Sequence, residues 1–165
     1  MNRRRCNVKT RSRILFQICL LAIIIGCADV AFSAQCNVTT TALNFGNYDP
    51  LSSAPTDSSA TVNITCRTPA RNPQVVTFQL TSGGSGTPAQ RSMLHQSGGG
   101  SLFYNIYSNP GRNQIIGDGS GGSTTFTRTV DKTSPWSLQL YGRIDPLQVV
   151  PVGLYSDTII ATILW

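Results

Sequence analysis

The last eleven residues, "YSDTIIATILW", alternate in character along the chain. Ile159, Ala161, Ile163 and Trp165 fall on one face, and Thr158, Ile160, Thr162 and Leu164 on the other. A period of two predicts a strand with one buried face. Similar runs precede it. "ATVNITC" sets Val62, Ile64 and Cys66 on one face, and "QVVTFQL" does the same with Val76, Phe78 and Leu80. "SLFYNIY" puts Leu102, Tyr104 and Ile106 opposite Phe103, Asn105 and Tyr107. "CNVTTTALNFGNY" reads as one or two strand pieces broken by Gly46, "RSML" as a short edge piece, and "TTFTRTV" and "WSLQLYGRI" as further strands. Between them, "DPLSSAPTDSS", "RTPARNP", "TSGGSGTPAQ", "HQSGGG" and "GDGSGGS" are built of turn formers. Seven or so short strands at this spacing predict an all-β domain, a sandwich with Greek-key connections. No internal repeat is visible, and the glycine-rich stretches are too short to be domain linkers.

The final strand poses a problem of its own. Inside a sandwich such a strand needs a neighbour on each side, and an exposed apolar edge is a template onto which another chain can add a strand.

The N-terminus follows a different pattern. "MNRRRCNVKTRSR" is a basic opening, "ILFQICLLAIII" is a run of 12 residues with a single Gln, and small residues follow. That is the layout of a secretory signal, and the run is too short to span a bilayer. Cleavage after Ser33 places small residues at Ala31 and Ser33, so residues 1–33 are read as a signal peptide and 34–165 as the mature domain. "IIGC" at Ile24 to Cys27 offers a rival, the lipid-attachment motif of a bacterial lipoprotein, with Ile a poorer fit than Leu at its first position.

Removing the leader changes the charge. The whole chain carries +6, but six of its 13 basic residues and one of its seven acids lie in the leader, leaving 7 − 6 = +1. No basic cluster remains to neutralise phosphates, so nucleic-acid binding is excluded as a function class. No transmembrane segment is expected in the mature chain. The 132 mature residues contain no Glu and few strong helix formers, in keeping with the all-β reading. Of five cysteines, Cys6, Cys19 and Cys27 leave with the leader. Cys36 and Cys66 remain, and in an exported chain they read as one disulfide. A loop of this size contributes roughly 3–4 kcal/mol in the chain-entropy model.

Catalytic parts are few. His95, the single histidine, is expected on a loop, without partners for acid–base work. The six mature aspartates, Asp49, Asp57, Asp118, Asp131, Asp145 and Asp157, mostly sit beside Pro, Gly or Ser, where they satisfy turn backbone groups. The Gly-x-Gly of "GDGSGG" neither follows a buried parallel strand nor opens a helix. No metal-ligand spacing and no cofactor motif appear. "NVT" at Asn37 and "NIT" at Asn63 match the glycosylation triplet, which is common by chance in a Thr-rich chain. The expectation is a protein that is not an enzyme.

Several ordered motifs together resemble a known family. "LNFGNYDP" soon after a cysteine, "ATVNITC", "RSML", "LFYNIYSNPGRNQIIGDG", "LYGRI" and the closing "GLYSDTIIATILW" are similar to the spore coat protein U domain, from Cys36 to Trp165. That family includes secreted pilus subunits of the archaic chaperone–usher pathway. The resemblance implies an immunoglobulin-like fold lacking its final strand and completed in trans. A periplasmic chaperone would lend a strand first. A neighbouring pilus subunit would then replace it at the outer-membrane usher. It implies a groove bordered by Leu43 and Phe45 on one side and floored by Ile159, Ala161, Ile163 and Trp165. It also implies the Cys36–Cys66 pair, and a route through the inner membrane and periplasm to the cell surface.

Members that polymerise carry an alternating segment before the first cysteine. Here only "AQ" separates the expected cleavage site from Cys36, so the domain is expected to accept a strand and give none, as a tip or minor subunit. Early or absent cleavage of the leader, and a coat component that never polymerises, are the competing explanations. A different class of function is a free secreted surface- or carbohydrate-binding sandwich that closes its own sheet, using Tyr48, Tyr107 and Trp136 if these are exposed.

Overall fold

The structure, a computed structural model, describes residues 35–67, 73–130 and 133–165. The signal peptide, the cleavage point after Ser33, the lipid-attachment rival at Cys27 and the turn role of Asp131 therefore lie outside the described residues.

Nine strands are present among the described residues: β1 (Gln35–Thr40), β2 (Thr56–Arg67), β3 (Gln74–Leu80), β4 (Arg91–His95), β5 (Ser101–Tyr107), β6 (Phe126–Val130), β7 (Thr133–Ile144), β8 (Tyr155–Ser156) and β9 (Ala161–Leu164). They form a six-stranded sheet in the order β1-β2-β7-β5-β4-β8 and a three-stranded sheet in the order β6-β3-β9. Every pairing between named strands is antiparallel. Sequence-distant strands lie side by side, β2 with β7 and β3 with β9, as expected of an immunoglobulin-like Greek-key sandwich.

The period-2 runs supply the core. Ala60, Val62, Ile64 and Cys66 of β2 meet Trp136, Leu138, Leu140 and Ile144 of β7 and Leu102, Tyr104 and Ile106 of β5. Val76, Phe78 and Leu80 of β3 cover them from the other sheet. The frame is β2 against β7, twelve residues in unbroken register from Thr56↔Ile144 to Arg67↔Thr133. Cys36 lies directly across from Cys66 on the neighbouring edge strand, and the two form the disulfide.

Several local expectations need correction. The run "TDSS" belongs to β2 and not to the preceding turn, because Asp57 faces Arg143 across the ladder and binds it through both carboxylate oxygens, at 2.8 and 2.9 Å. Polar cross-strand pairs carry that stretch, so its hydrophobicity gives no sign of it. "TALNFGNY" contains no strand. β1 ends at Thr40, where the chain leaves the ladder, and further on Gly46, at φ +68°, donates its N–H to Asn44 Oδ1 in an Asx turn. "RSML" is not an edge, since β4 runs between β5 and β8. His95 closes β4 instead of sitting on a loop. Its Nδ1 accepts from Ser97 N at 3.2 Å and its ring meets Tyr155 edge-on. Trp136 is buried, edge-on to Phe126, and Tyr48 and Tyr107 are half-buried. They form no exposed aromatic surface.

The last strand differs most from expectation. It divides into β8, paired with β4 in the large sheet, and β9, paired with β3 in the small one, with Asp157 to Ile160 crossing between the sheets. Thr81 fixes the crossing, its N donating to Ile160 O and its Oγ1 accepting from Ile160 N.

Candidate functional site

The peeled-off segment after β1 and the crossing segment before β9 face each other across an open groove. On one side stand Thr40, Thr41, Ala42, Leu43 and Phe45, and on the other Tyr155 to Ile159 with Ala161. The floor is the core itself, Ala60, Val62, Leu80, Tyr104, Ile106 and Leu140, around about 510 Å³ of space. A second cavity of about 620 Å³ continues past Tyr48 and Pro50 to Val150 and Leu154, sharing Ala42, Leu43, Phe45, Met93 and Tyr155 with the first. A third, about 600 Å³, lies at the opposite end between Trp165 and Cys36, with Gln35, Asn37, Thr65 and Arg67. Finished protein interiors leave few voids larger than a water molecule, and an engineered cavity of ~150 Å³ already counts as large. The first lies between the sheets, Leu80 and Ala161 of the smaller facing Ala60, Val62 and Leu140 of the larger, and there the two sheets do not close upon each other.

The residues expected in this groove are placed as follows. Leu43 and Phe45 are half-buried and line the first two cavities. Ile159 and Ala161 line the first, and Ile163 packs inward against the core beside them. Trp165 departs from the inward face. It is 56% exposed and borders only the cavity beside Cys36. Among the described residues, β9 and β1 each end their sheet, so both groove margins present unpaired backbone.

Two residues that shape the groove had no assigned role in the sequence. Gly142 in β7 is the platform beneath Leu43 and Phe45. A Cβ there would stand 2.7 Å from Leu43 Cδ2 and 2.8 Å from Phe45 Cζ. Phe45 in turn rests edge-on against Tyr104, ring centroids 5.7 Å apart. Arg91 is fully buried behind the groove, its guanidinium donating twice to Thr81 O and once each to Asn105 Oδ1 and Ile116 O. Burial lowers its pKa, and the ring of acceptors keeps the cation supplied with partners.

Asp157 sits where the last strand changes sheets. Its Oδ2 accepts from Tyr104 Oη at 2.8 Å, and its Oδ1 accepts from Gly84 N at 3.0 Å and Thr158 N at 2.8 Å. Burial raises the pKa of the Tyr104 hydroxyl, and the bond to Asp157 raises it further, so the proton stays on the phenol. Asp157 and Asp57 thus depart from the expected turn role, which Asp49 and Asp118 do fill, accepting from Leu51 N and Ser120 N. Among the described residues no cluster of His, Cys, Asp or Glu could hold a metal ion, and no helix is long and apolar enough to cross a membrane. What the arrangement can do chemically is hold an extended segment, apolar side chains inward and backbone against open edges.

Comparison with known proteins is consistent with this architecture. The family model described as the Spore Coat Protein U domain matches residues 25–162. Among solved structures, a chain of the CsuC–CsuE chaperone–tip adhesion subunit pre-assembly complex, from the archaic chaperone–usher Csu pili of Acinetobacter baumannii, is similar in fold. The TM-score is 0.55 and the identity 22%, over 81% of this chain and 40% of that one. This chain therefore spans less than half the length of that neighbour. A chain from a chaperone–tip adhesin complex of CFA/I fimbriae biogenesis matches at TM-score 0.46 and 13% identity, covering 77% of this chain and 41% of that one. The Hda pilus minor tip subunit HdaB of E. coli matches at 0.42 and 16%, covering 77% of this chain and 79% of that one. These two lie too low to add to the fold assignment. No curated protein is significantly similar to the chain.

Proposed function

The chain belongs to the Spore Coat Protein U domain family, and from that premise we propose that it is a non-catalytic structural subunit of a bacterial surface pilus or coat. In this reading it accepts a β-strand from another polypeptide in its groove. The observation that carries the proposal is the seam itself. Two unpaired sheet edges flank a row of apolar cavities floored by core residues. A strand laid along β9 would extend the ladder, and its alternate side chains would fill the cavities. Each large apolar side chain so buried contributes roughly 1.5–3 kcal/mol. A periplasmic chaperone would supply the first strand and a neighbouring subunit at the outer-membrane usher the second. The chain would be exported as residues 34–165, pass through the periplasm and end at the cell surface. The short interval between the expected cleavage after Ser33 and Cys36 supports a tip or minor position, in which the domain receives a strand and passes none on.

The test is periplasmic expression with and without the cognate chaperone. An acceptor should copurify with the chaperone in a one-to-one complex and be degraded or aggregate without it. Accumulation as a soluble monomer with no chaperone bound would instead favour a free sandwich that closes its own sheet. Immunogold labelling confined to fibre ends would support the tip position, and labelling along the shaft would sink it.

A further inference from the structure

The groove is not uniformly apolar. Among the residues lining its three cavities, Asp157 is the one carboxylate, and it stands midway along the seam. Its three acceptor contacts leave one acceptor site, on Oδ2, still open. Among the described residues no ion pair involves Asp157, those present being of Asp57 with Arg112 and Arg143. Arg91, the buried cation behind it, directs its hydrogen bonds to Thr81, Asn105 and Ile116. A strand seated over Asp157 strips water from that carboxylate. An apolar side chain facing it leaves the open acceptor unsatisfied, whereas a donor replaces the lost water.

Building on the acceptor reading, we infer that Asp157 is a specificity residue of the groove: the occupant carries a lysine, arginine or hydroxyl side chain facing Asp157, between apolar residues that fill the cavities on either side. The partner is thus an alternating strand with one inward-facing hydrogen-bond donor near its middle. Arg67, the guanidinium at the disulfide end, is exposed and screened, and adds little selection.

The test uses synthetic peptides of about twelve residues in which apolar residues and threonine alternate. A single lysine is walked along the apolar face, and binding to the mature domain is measured by titration. Lysine at one position should bind about tenfold more tightly than lysine at the neighbouring same-face positions. Asp157→Asn should erase that preference. The amide can still accept from Gly84 and Thr158 and donate to Tyr104 Oη, so the fold is kept. Should that variant fail to fold, the wild-type preference must shrink as salt is raised. If the all-apolar parent binds but every lysine position is equally costly, or the preference survives in Asp157→Asn, the inference fails and the acceptor reading stands. If no peptide binds at all, both fail.

Discussion

Gly142→Ala probes how the groove wall is held. The added Cβ would meet Leu43 Cδ2 at 2.7 Å, Phe45 Cζ at 2.8 Å and Phe45 Cε1 at 3.0 Å. Carbon atoms pack best near 3.5–4.0 Å, so both side chains must retreat by about 1 Å. Gly142 does not occupy the left-handed region, and this contact is the reason for glycine there. Overpacking of this kind costs about 1–3 kcal/mol, while replacing Gly by Ala returns about 0.4–1 kcal/mol by restricting the unfolded chain. The colliding atoms are the tips of half-buried side chains, so the top of that range is not reached; a cost of about 2 kcal/mol leaves a net loss of about 1 kcal/mol. In thermal unfolding that is a fall of about 2–5 °C for a domain of this size. Leu43 and Phe45 line the groove, so their retreat narrows it, and affinity for the all-apolar alternating peptide should drop by about tenfold. In a background already carrying Leu43→Ala and Phe45→Ala the substitution should become neutral or slightly stabilising. Unchanged stability and affinity, or an equal cost in the truncated background, would refute the account of Gly142 as the platform of the wall.

Two further expectations concern stability. Cys36 and Cys66 are 30 residues apart, so replacing both by Ala should lower the unfolding free energy by about 3.6 kcal/mol in the chain-entropy model, read as a shift of the urea midpoint. A loss below about 1 kcal/mol would show that the unfolded chain is restrained by something else. Asp57 is held below the ordinary carboxylate value of 3.8, first by its hydrogen bonds from Arg143, which outweigh the opposing effect of burial, and then by the charges of Arg143 and Arg112. A depressed folded pKa contributes stability above the unfolded value and loses it as pH falls through the folded one. Stability should therefore decline on acidification from about pH 4 downward, and Asp57→Asn should flatten that part of the profile. Because the pair is largely exposed, added salt should weaken the effect, and an identical acid limb in the variant would count against it.

What could be read from the sequence, and what could not, follows from where its periodicity points. "QVVTFQL" and "SLFYNIY" became strands with the expected inward faces, because a run buried on one side must alternate. The cysteine pair was legible because the other three cysteines fall within the expected leader. Arg91 was not, since nothing in "RSML" distinguishes a guanidinium ringed by carbonyls from one in water. Gly142 was not, because its role depends on Leu43 and Phe45, about a hundred residues away in the chain.

The hardest case is the last strand, and its failure is instructive. Residues 155, 157, 159, 161 and 163 are all partly buried, and the alternation continues across the change of sheet between β8 and β9, with Thr162 alone partly buried out of phase. Both sheets face one core, and a strand that leaves one for the other keeps its inward side inward. Alternation therefore reports which face is buried and is blind to which sheet does the burying. The crossing is fixed by polar contacts, Thr81 to Ile160 and Asp157 to Gly84 and Tyr104, which leave no hydrophobic signature. That crossing also forms one margin of the groove, Tyr155 to Ile159 lining the same space as Leu43 and Phe45. The contacts that set the crossing are thus the ones a hydrophobic pattern passes over.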